Sequence, residues 1–304
     1  MEYHEAYSRY VGLVEESLCR VLPESSVERP ENPGVIPAHL CESMRYSLLA
    51  GGKRVRPVLL LAATEMLGGC LDEALVPAAA LEMIHTYSLI HDDLPGMDDD
   101  DYRRGRLTNH KVYGVGHAIL AGDGLLNYAY ESLLKNALRY REHLEGHVKA
   151  ASVIADRAGV CGMIAGQSID LLSEHATPDI DTLAYIHHHK TADLLTAPLL
   201  AAAHISGANE EQIAALDRFG ACLGLAFQID DDLLDVEGDA AQLGKQTGMD
   251  AQRGKMTWPS LYGVEESRKK SLALWQEAEQ ALECFGERAW FMHEFARQLK
   301  NRKY

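Results

Sequence analysis

The chain is poor in basic residues: it has 29 lysines and arginines against 45 aspartates and glutamates, for a net charge of −16. A surface with this charge repels phosphate backbones and anionic membranes, which argues against a nucleic-acid-binding protein and against a protein that docks on acidic lipid. The six cysteines are scattered, without the close pairs of a zinc site or the density of a disulfide framework. We therefore expect free thiols in a reducing compartment.

Long apolar runs are also missing. The longest nearly apolar stretch, 194–205, contains Thr196, Pro198 and His204 and is shorter than the roughly 20 residues needed to cross a bilayer. The N-terminus carries acidic residues where a signal peptide has a basic and then an apolar segment. No integral membrane segment is therefore predicted, and we expect a soluble, cytoplasmic protein.

The alternation typical of β-strands is absent over any useful length, whereas apolar residues recur every three or four positions along most of the chain. This spacing predicts helices at 3–22, 38–50, 56–67, 72–93, 117–140, 147–173, 179–206, 209–236, 258–284 and 287–302. Glycine and proline mark the breaks between them. With no linker or repeat, residues 1–304 are predicted to form a single all-α domain, a bundle of about ten helices around a central active-site cavity.

Two groups of aspartates carry the chemistry. The first is DDLPGMD, from Asp92 to Asp98, and the second is DDLLD, from Asp231 to Asp235, about 140 residues later. Several carboxylates in one place suit a small hard cation, and Mg²⁺ commonly joins one or two carboxylates to substrate phosphates. The clusters therefore indicate a phosphorylated or diphosphorylated substrate.

The second cluster has the simpler geometry. Asp231 and Asp235 are four residues apart and Asp232 and Asp235 are three apart, so all three share one helical face. In the first cluster, Asp98 cannot lie on the face of Asp92 in an ideal helix, but the Pro-Gly pair between them must end or bend that helix. We expect this bend to return Asp98 toward Asp92. The structural alternative at each cluster is a solvated acidic helix end or loop.

Several of the basic residues occur near these aspartates or next to glycines. Lys53 and Arg56 lie in GGKRVRP, where paired glycines free the backbone and an arginine can bind phosphate oxygens bidentately. Arg103 and Arg104 follow the first cluster directly. Further cations stand at Lys190, Lys245 and Lys255. Each alone is typical of surface charge, but together with the aspartates they fit two diphosphate groups, one bound with metal and one without.

Seven motifs follow one another in order from about Gly51 to Leu261. They are GGKRVRP, EMIHTYSLIHDDLPGMDDDDYRRGRLTNHKVYG, LAGDGLL, GQSIDL, HHHKT, FQIDDDLLD and LGKQTGMDAQRGKMT. In these motifs the chain resembles a short-chain trans-isoprenyl diphosphate synthase, most closely a farnesyl diphosphate synthase of the bacterial type. The resemblance implies a fold of the isoprenoid synthase type and a homodimer. It also implies that histidines 187–189 belong to HHHKT rather than to a metal site.

The resemblance further implies roles for individual residues. Several Mg²⁺ ions would be ligated by Asp92, Asp98 and Asp231, supported by Asp93, Asp232 and Asp235. With the metals, the allylic diphosphate would be bound by Arg103, Lys190, Lys245 and Lys255. Isopentenyl diphosphate would be bound without metal by Lys53, Arg56, His85 and Arg104. Thr191 and Gln228 would lie near the developing carbocation.

The reaction implied by the resemblance is a head-to-tail condensation. The allylic diphosphate ionises, the double bond of isopentenyl diphosphate attacks the allylic cation, and proton loss leaves a product five carbons longer. Dimethylallyl and then geranyl diphosphate would be extended to farnesyl diphosphate. No side chain is marked as a dedicated general base, and the released diphosphate is expected to take the proton.

Product length depends on the helix that bears the first cluster. Tyr87 lies five residues before Asp92, about 7.5 Å along a helix axis, and its ring resembles the floor that stops elongation at fifteen carbons. Ser88, beside it, is small. The alternative is that Tyr87 is an ordinary core aromatic with its hydroxyl bonded. A geranylgeranyl diphosphate synthase is therefore the nearest alternative within the family.

Three further readings compete. A class I terpene cyclase would also use Mg²⁺ and an aspartate-rich helix, but it needs no second set of cations such as those of GGKRVRP. A metal-dependent phosphohydrolase, suggested by His91-Asp92, leaves the second cluster unexplained. A non-catalytic regulatory subunit is expected to have lost carboxylates that this chain retains. Asp230, directly before the second cluster, has no assigned role and could tune metal affinity or face solvent.

Overall fold

The computed structural model describes residues 2–28, 35–173, 179–237 and 256–302. Within these ranges almost all regular structure is helical, which confirms the all-α prediction. The α-helices are α1 (Tyr3–Val21), α2 (Ala38–Leu48), α3 (Val55–Met66), α4 (Leu71–Asp92), α5 (Asn109–Tyr113), α6 (Val115–Arg139), α7 (Leu144–Ala158), α8 (Met163–Ser173), α9 (Ile180–Ile186), α10 (Asp193–Ile205), α11 (Glu210–Glu237), α12 (Trp258–Tyr262), α13 (Val264–Ala281) and α14 (Trp290–Lys300). Short 3₁₀ turns span Arg141–His143 and Glu283–Ala289. No helix in the described ranges is both long and apolar enough to cross a membrane.

Three of the predicted helices are interrupted. The predicted helix 147–173 is two helices, α7 and α8, because the chain turns so tightly between them that a Cβ at Gly162 would overlap a backbone carbonyl. The predicted helix 258–284 is divided at Gly263, whose φ of +79° is left-handed. The predicted helix 179–206 contains a π-helical segment, His187–Ala192. Apolar spacing continues through these positions and therefore does not reveal the breaks.

Backbone proximity divides the chain into two compact units. The first unit comprises residues 1–61 and 70–151, and the second comprises residues 62–69 and 152–304. The assignment of residues 1–304 to a single domain stays a prediction.

The first unit is built around α4. This helix packs against α6, α1 and α2, and it is apolar on nearly all sides. Residues such as Ala79, Leu81 and Ile84 are therefore fully enclosed, as expected for a helix without a polar face. The first aspartate cluster consequently begins at the end of a buried and well-supported helix.

The second unit is built around α11, which packs against α10 and α13. Helix α10 is buried along nearly its whole length, with Leu194, Leu199 and Ala202 fully enclosed. Helix α11 carries the second aspartate cluster near its C-terminal end. Each unit thus presents one carboxylate cluster on a helix that its own core holds in place.

Candidate active site

The first aspartate cluster is a turn at the end of α4. Beyond Asp92 the chain reverses at Pro95–Gly96, and the amide of Asp98 donates a hydrogen bond to the carbonyl of Asp92 at 2.9 Å. The amide of Asp99, a residue with a φ of +50°, donates to the carbonyl of Leu94 at 3.2 Å. The expected return of Asp98 toward Asp92 is confirmed, and both of these aspartates are half-buried.

A small β-hairpin follows this turn. Strand β1 (Tyr102–Arg103) pairs antiparallel with β2 (Arg106–Leu107). The two residues between the strands, Arg104 and Gly105, both have positive φ, which the tightest hairpin turns require. The hairpin therefore fixes the backbone from which two adjacent arginines extend.

Asp93 is paired with Arg103. The Arg103 guanidinium binds one carboxylate oxygen of Asp93 through Nε at 2.7 Å and Nη2 at 2.6 Å, and Asp93 is only 3% exposed. Burial raises the pKa of Asp93, and Arg103 opposes that shift. In this structure the Asp93 carboxylate connects the turn to the hairpin. Its role as a metal ligand, and the contact of Arg103 with a diphosphate, stay predictions.

One cavity of about 450 Å³ in the first unit is lined by all four residues predicted to hold a diphosphate without metal: Lys53, Arg56, His85 and Arg104. Arg104 is held there by its guanidinium, which donates to the carbonyl of Gly51. A Cβ at Gly52, which has a φ of +136°, would overlap the Arg104 guanidinium. The paired glycines thus permit both the backbone conformation and the close approach of this arginine.

The charges that line this cavity do not balance. Its side chains include four cations and one carboxylate, that of Glu82. Burial lowers the pKa of Arg56 to about 10, with Glu82 opposing and Arg104 adding to the shift. Burial also holds the pKa of His85 well below its usual value, and neighbouring arginines add to that effect. The Nε of Arg56 is buried without a hydrogen-bond partner in the described structure. Convergent positive charge with an unpaired donor favours an anion.

Arg54 organises the cavity, although its motif gave no reason to assign it a role. Its side chain is fully buried; Nε binds Glu15 at 2.7 Å, Nη1 binds Glu82 at 2.7 Å, and Nη2 donates to the carbonyl of Leu48 at 2.9 Å. Its φ of +51° is a strained value for a residue with a side chain. The two glutamates lie 39 and 28 residues away in sequence, so no local pattern could have identified them.

Tyr87 lies on the buried α4 and is 6% exposed. Its hydroxyl is buried and has no hydrogen-bond partner among the described residues, so the alternative of a core tyrosine with a bonded hydroxyl is not supported. Burial raises the pKa of Tyr87 to about 12, with Tyr130 and Asp92 adding to the shift. The Ser88 hydroxyl donates to the carbonyl of His85 at 2.9 Å. The roles of Tyr87 and Ser88 in chain length stay predictions.

The second cluster lies near the C-terminal end of α11, as its helical spacing indicated. Asp231 is exposed, Asp235 is half-buried and Asp232 is 3% exposed. The Asp232 carboxylate accepts from the amide of Trp258 at 3.0 Å and from the Gln228 side chain at 3.3 Å. Asp232 therefore connects α11 to the start of α12. Metal binding by the three aspartates stays a prediction.

Arg302, near the end of the chain, is a contact of this cluster that no motif indicated. Its guanidinium lies 2.6 Å from a carboxylate oxygen of Asp231 and donates to the carbonyl of Phe227 at 2.9 Å. It also stacks over the Phe227 ring, with 3.6 Å from Cζ to the ring centroid. A cation thus neutralises Asp231 from 71 residues away in sequence.

The role of Asp230, which the sequence left open, is explained by its contacts with a neighbouring helix. Its carboxylate accepts from the indole nitrogen of Trp275 at 2.8 Å and from the hydroxyl of Ser271. Both donors lie on α13, so Asp230 joins α11 to its neighbour. The carboxylate is oriented toward α13 by these two bonds.

The HHHKT motif forms the π-helical segment. Lys190 Nζ lies 2.5 Å from the carboxylate of Asp170, a residue of GQSIDL to which the sequence had assigned no role. Thr191 donates to the side-chain oxygen of Gln228 at 3.0 Å, and Gln228 in turn donates to Asp232. Three of the predicted site residues of the second unit therefore form one continuous hydrogen-bonded chain.

The three histidines of the motif have different surroundings. His187 is buried and accepts from the indole nitrogen of Trp258 at 2.8 Å; burial lowers its pKa to about 3, so the ring is neutral. His188, His189 and Asp193 bring three potential metal-ligating atoms within 4.8 Å of one another. The Asp193 carboxylate is already bound by the Arg157 guanidinium at 2.5 Å, a cation that disfavours a metal there.

Two glycines let the π-helical segment pack closely. A Cβ at Gly166 of α8 would overlap the backbone of Lys190, and a Cβ at Gly224 of α11 would overlap Ala192. Because backbone cannot move aside as a flexible side chain can, the segment depends on both glycines. They let α8 approach the backbone of Lys190 and let α11 approach Ala192.

We expect Gly166→Ala to reduce turnover about a hundredfold in the condensation that the resemblance implies, because displacing a positioned group by roughly 1 Å lowers the rate by about that factor. Steady-state kinetics would measure the loss. Gly12→Ala is the matched control, since a Cβ there meets nothing within 4 Å. Normal turnover in Gly166→Ala would mean that the position of the segment is not critical.

Lys245 and Lys255, both predicted to bind the allylic diphosphate, lie outside the described residues. Their roles stay predictions.

Known proteins resemble this chain in sequence and in fold. The family model of the polyprenyl synthetases matches residues 37–288. A dimethylallyltranstransferase of Fischerella ambigua is 48% identical over 254 residues, which cover 83% of this chain and 73% of the relative. A geranylgeranyl diphosphate synthase of Cyanophora paradoxa is 44% identical over 278 residues, covering 91% and 89%. The crystal structure of an FPP/GFPP synthase from Zymomonas mobilis superimposes with a TM-score of 0.85 at 34% identity, covering 98% of each chain.

The fold and the two carboxylate clusters therefore define an all-α isoprenoid synthase. The chain belongs to the polyprenyl synthetase family and is a short-chain prenyltransferase.

Proposed function

We propose that the protein is a Mg²⁺-dependent farnesyl diphosphate synthase, which joins isopentenyl diphosphate to dimethylallyl and then to geranyl diphosphate. The observation that carries the proposal is the cation-lined cavity of the first unit. A donor-rich cavity of about 450 Å³ with an excess of positive charge suits a diphosphate bound without metal. A terpene cyclase does not need a second diphosphate pocket of this kind, which makes the cyclase the weaker candidate.

Mg²⁺ fits the carboxylates that each unit presents. In the first unit, the hydrogen bond from the amide of Asp98 to the carbonyl of Asp92 brings two half-buried aspartates together. In the second unit, Asp231 and Asp235 lie one helical turn apart, and Mg²⁺ would displace the Arg302 guanidinium from Asp231. Carboxylate oxygens are the protein ligands that Mg²⁺ prefers, and it usually binds through one or two of them together with phosphates. When bound, Mg²⁺ acts as a Lewis acid that stabilises the leaving diphosphate.

The side chains of this protein supply the remaining chemistry. Lys190 and Arg103 offer positive charge to the allylic diphosphate as its C–O bond breaks. Lys53, Arg56 and Arg104 hold the diphosphate of isopentenyl diphosphate, which orients its double bond for attack on the allylic cation. The released diphosphate takes the proton, and no side chain is required as a dedicated base.

Oxygen atoms of the second unit stabilise the cation in this proposal. The Thr191 hydroxyl donates a hydrogen bond to the side-chain oxygen of Gln228, so its own lone pairs can face positive charge. Gln228 is held in turn by Asp232. These fixed dipoles need no reorientation when the cation forms.

Product analysis tests the function directly. Purified protein is incubated with isopentenyl diphosphate, dimethylallyl diphosphate and Mg²⁺, and the dephosphorylated alcohols are identified by chromatography and mass. Farnesol is the expected product. Geranylgeraniol would be consistent with the family but would favour the activity named for several relatives. The absence of any condensation product would favour a cyclase or a regulatory subunit that needs a partner.

Replacing Lys53 tests the assignment of the cavity. Lys53→Ala should raise the KM for isopentenyl diphosphate about tenfold and change the KM for the allylic substrate much less, because one charge-assisted hydrogen bond is lost. Lys111→Ala is the matched control, since Lys111 pairs with Asp101 at 2.6 Å on the surface of the same unit. The opposite pattern of KM values would mean that the two pockets are exchanged.

Replacing Tyr87 tests the floor of the elongation cavity. Tyr87→Ala should shift the product from fifteen carbons to twenty or more, because the ring that stops the growing chain is removed. Tyr87→Phe should leave product length unchanged, since the hydroxyl has no hydrogen-bond partner. Chromatography of the alcohols distinguishes the two outcomes, and an unchanged product from Tyr87→Ala would exclude Tyr87 as the floor.

We propose a cytoplasmic homodimer. The support for a dimer is apolar surface on α6 and α7, where Leu134 and Leu138 are each 61% exposed and Val148 is 51% exposed. Leu134 and Leu138 lie one helical turn apart on α6, and neighbouring exposed apolar side chains are typical of an association surface. Sedimentation equilibrium would give twice the mass of the chain for a dimer.

A further inference from the structure

Gly122 on α6 allows the ring of His91, on α4, to lie against the α6 backbone. A Cβ at Gly122 would overlap three atoms of the imidazole, Nε2, Cδ2 and Cε1. The backbone of α6 at this point is ordinary helix, so glycine is not needed for its conformation. The absence of a side chain instead provides the space that the imidazole occupies.

The His91 ring is held at both ends. Its Nε2 donates to the carbonyl of Ile119 on α6 at 3.2 Å and lies 3.8 Å from the carboxylate of Asp123. On its other side the ring meets Tyr87 edge to face, with 5.7 Å between centroids and 83° between planes. His91 therefore connects the α6 backbone to the aromatic ring of Tyr87.

The orientation of Tyr87 depends on packing alone. Its hydroxyl is buried without a hydrogen-bond partner in the described structure, so no polar contact fixes the ring. The edge of His91 is an aromatic contact of defined geometry, which is the kind of contact that favours one ring orientation. A displaced His91 would leave that orientation less determined.

We propose that Gly122 and His91 are positioning residues that set the Tyr87 ring and thereby the length of the product. Gly122 leaves room for the His91 ring, and the edge-to-face contact of His91 then orients the Tyr87 ring. This inference rests on the proposed prenyl-transfer function and on Tyr87 as the floor. Neither residue needs to contact the substrate.

The test is product length in Gly122→Ala. The added methyl group should displace His91, loosen Tyr87 and raise the ratio of geranylgeraniol to farnesol about two- to tenfold, the range that corresponds to one aromatic contact. Gly116→Ala, on the same helix with nothing within 4 Å of its Cβ, should leave the ratio unchanged. Circular dichroism melts verify that each variant is folded.

Double variants show whether the effect passes through His91 and Tyr87. His91→Ala alone should lengthen the product, and adding Gly122→Ala to it should change nothing further, because the overlap is gone. Gly122→Ala should also have no additional effect on product length in the Tyr87→Ala background. These results would support the positioning role. His91→Ala also provides the test if Gly122→Ala does not fold.

Two outcomes would overturn the inference. One is an unchanged ratio in folded, active Gly122→Ala and His91→Ala variants. The other is a full additional shift from Gly122→Ala in the Tyr87→Ala background, which would mean that Gly122 acts independently of Tyr87. Failure of the wild-type protein to condense the substrates at all would instead contradict the proposed function, so the two failures are distinguishable.

Discussion

Asp92→Asn should lower turnover about a thousandfold at saturating Mg²⁺, while the protein remains folded. The substitution keeps the size of the side chain and removes a negative charge from the turn that joins Asp92 to Asp98. Lewis-acid stabilisation of a leaving group is worth several kcal/mol, and each 1.36 kcal/mol corresponds to a factor of ten in rate. Single-turnover kinetics with geranyl and isopentenyl diphosphate would measure the loss.

A matched control separates this effect from a general change in charge. Asp101 belongs to the same acidic run, but it is exposed and pairs with Lys111 at 2.6 Å. Asp101→Asn should therefore retain turnover within about twofold, since an exposed pair contributes little. Near-normal turnover in Asp92→Asn, with Mg²⁺ saturating, would contradict the metal assignment of the first cluster.

Arg54→Met should lower the free energy of unfolding by about 3–5 kcal/mol, because it leaves the carboxylate of Glu82 buried without its partner. The Arg54 side chain is 0% exposed and that of Glu82 is 2% exposed, so solvent screens their interaction only slightly. Urea denaturation followed by circular dichroism, in the absence of substrate, would measure the change. Residue 54 has the same left-handed backbone in the wild-type protein and in the Arg54→Met variant, so strain at that position does not contribute to the difference in free energy of unfolding.

The pair formed by Arg20 and Glu16 provides the contrast. It lies in the same unit, has a similar separation of 2.7 Å, and its side chains are 66% and 69% exposed. Arg20→Met should therefore change the free energy of unfolding by less than about 1 kcal/mol. Equal losses from Arg54→Met and Arg20→Met would mean that the burial of the Arg54 network does not determine its contribution.

The helical character of the chain and both aspartate clusters follow from local patterns. Apolar spacing predicts helices because it reports which face of a segment is buried, and that rule holds in both units. The spacing of Asp231 and Asp235 determines their shared face because a helix repeats every 3.6 residues. The Pro-Gly pair of the first cluster is equally local, and it accounts for the return of Asp98.

The partners of individual side chains could not be predicted in this way. Asp230 and Asp231 are neighbours in sequence, yet Asp230 binds Trp275, 45 residues away, and Asp231 binds Arg302, 71 residues away. Sequence alone does not distinguish such adjacent carboxylates, because each contact depends on which helix packs alongside. The π-helical segment has the same origin, since it depends on Gly166 and Gly224 on two other helices.

The amino-acid sequence by itself determined the helical class, the two carboxylate clusters and the cationic motifs, because the residues that form each of these patterns lie close together along the chain. The family resemblance had already grouped Lys53, Arg56, His85 and Arg104, which line one cavity, but tertiary structure alone decided that Arg54 is held by Glu15 and Glu82. It also decided that His91 lies between Gly122 and Tyr87. The physical reason is that burial and charge pairing depend on distance in space, which helix packing sets independently of distance in sequence.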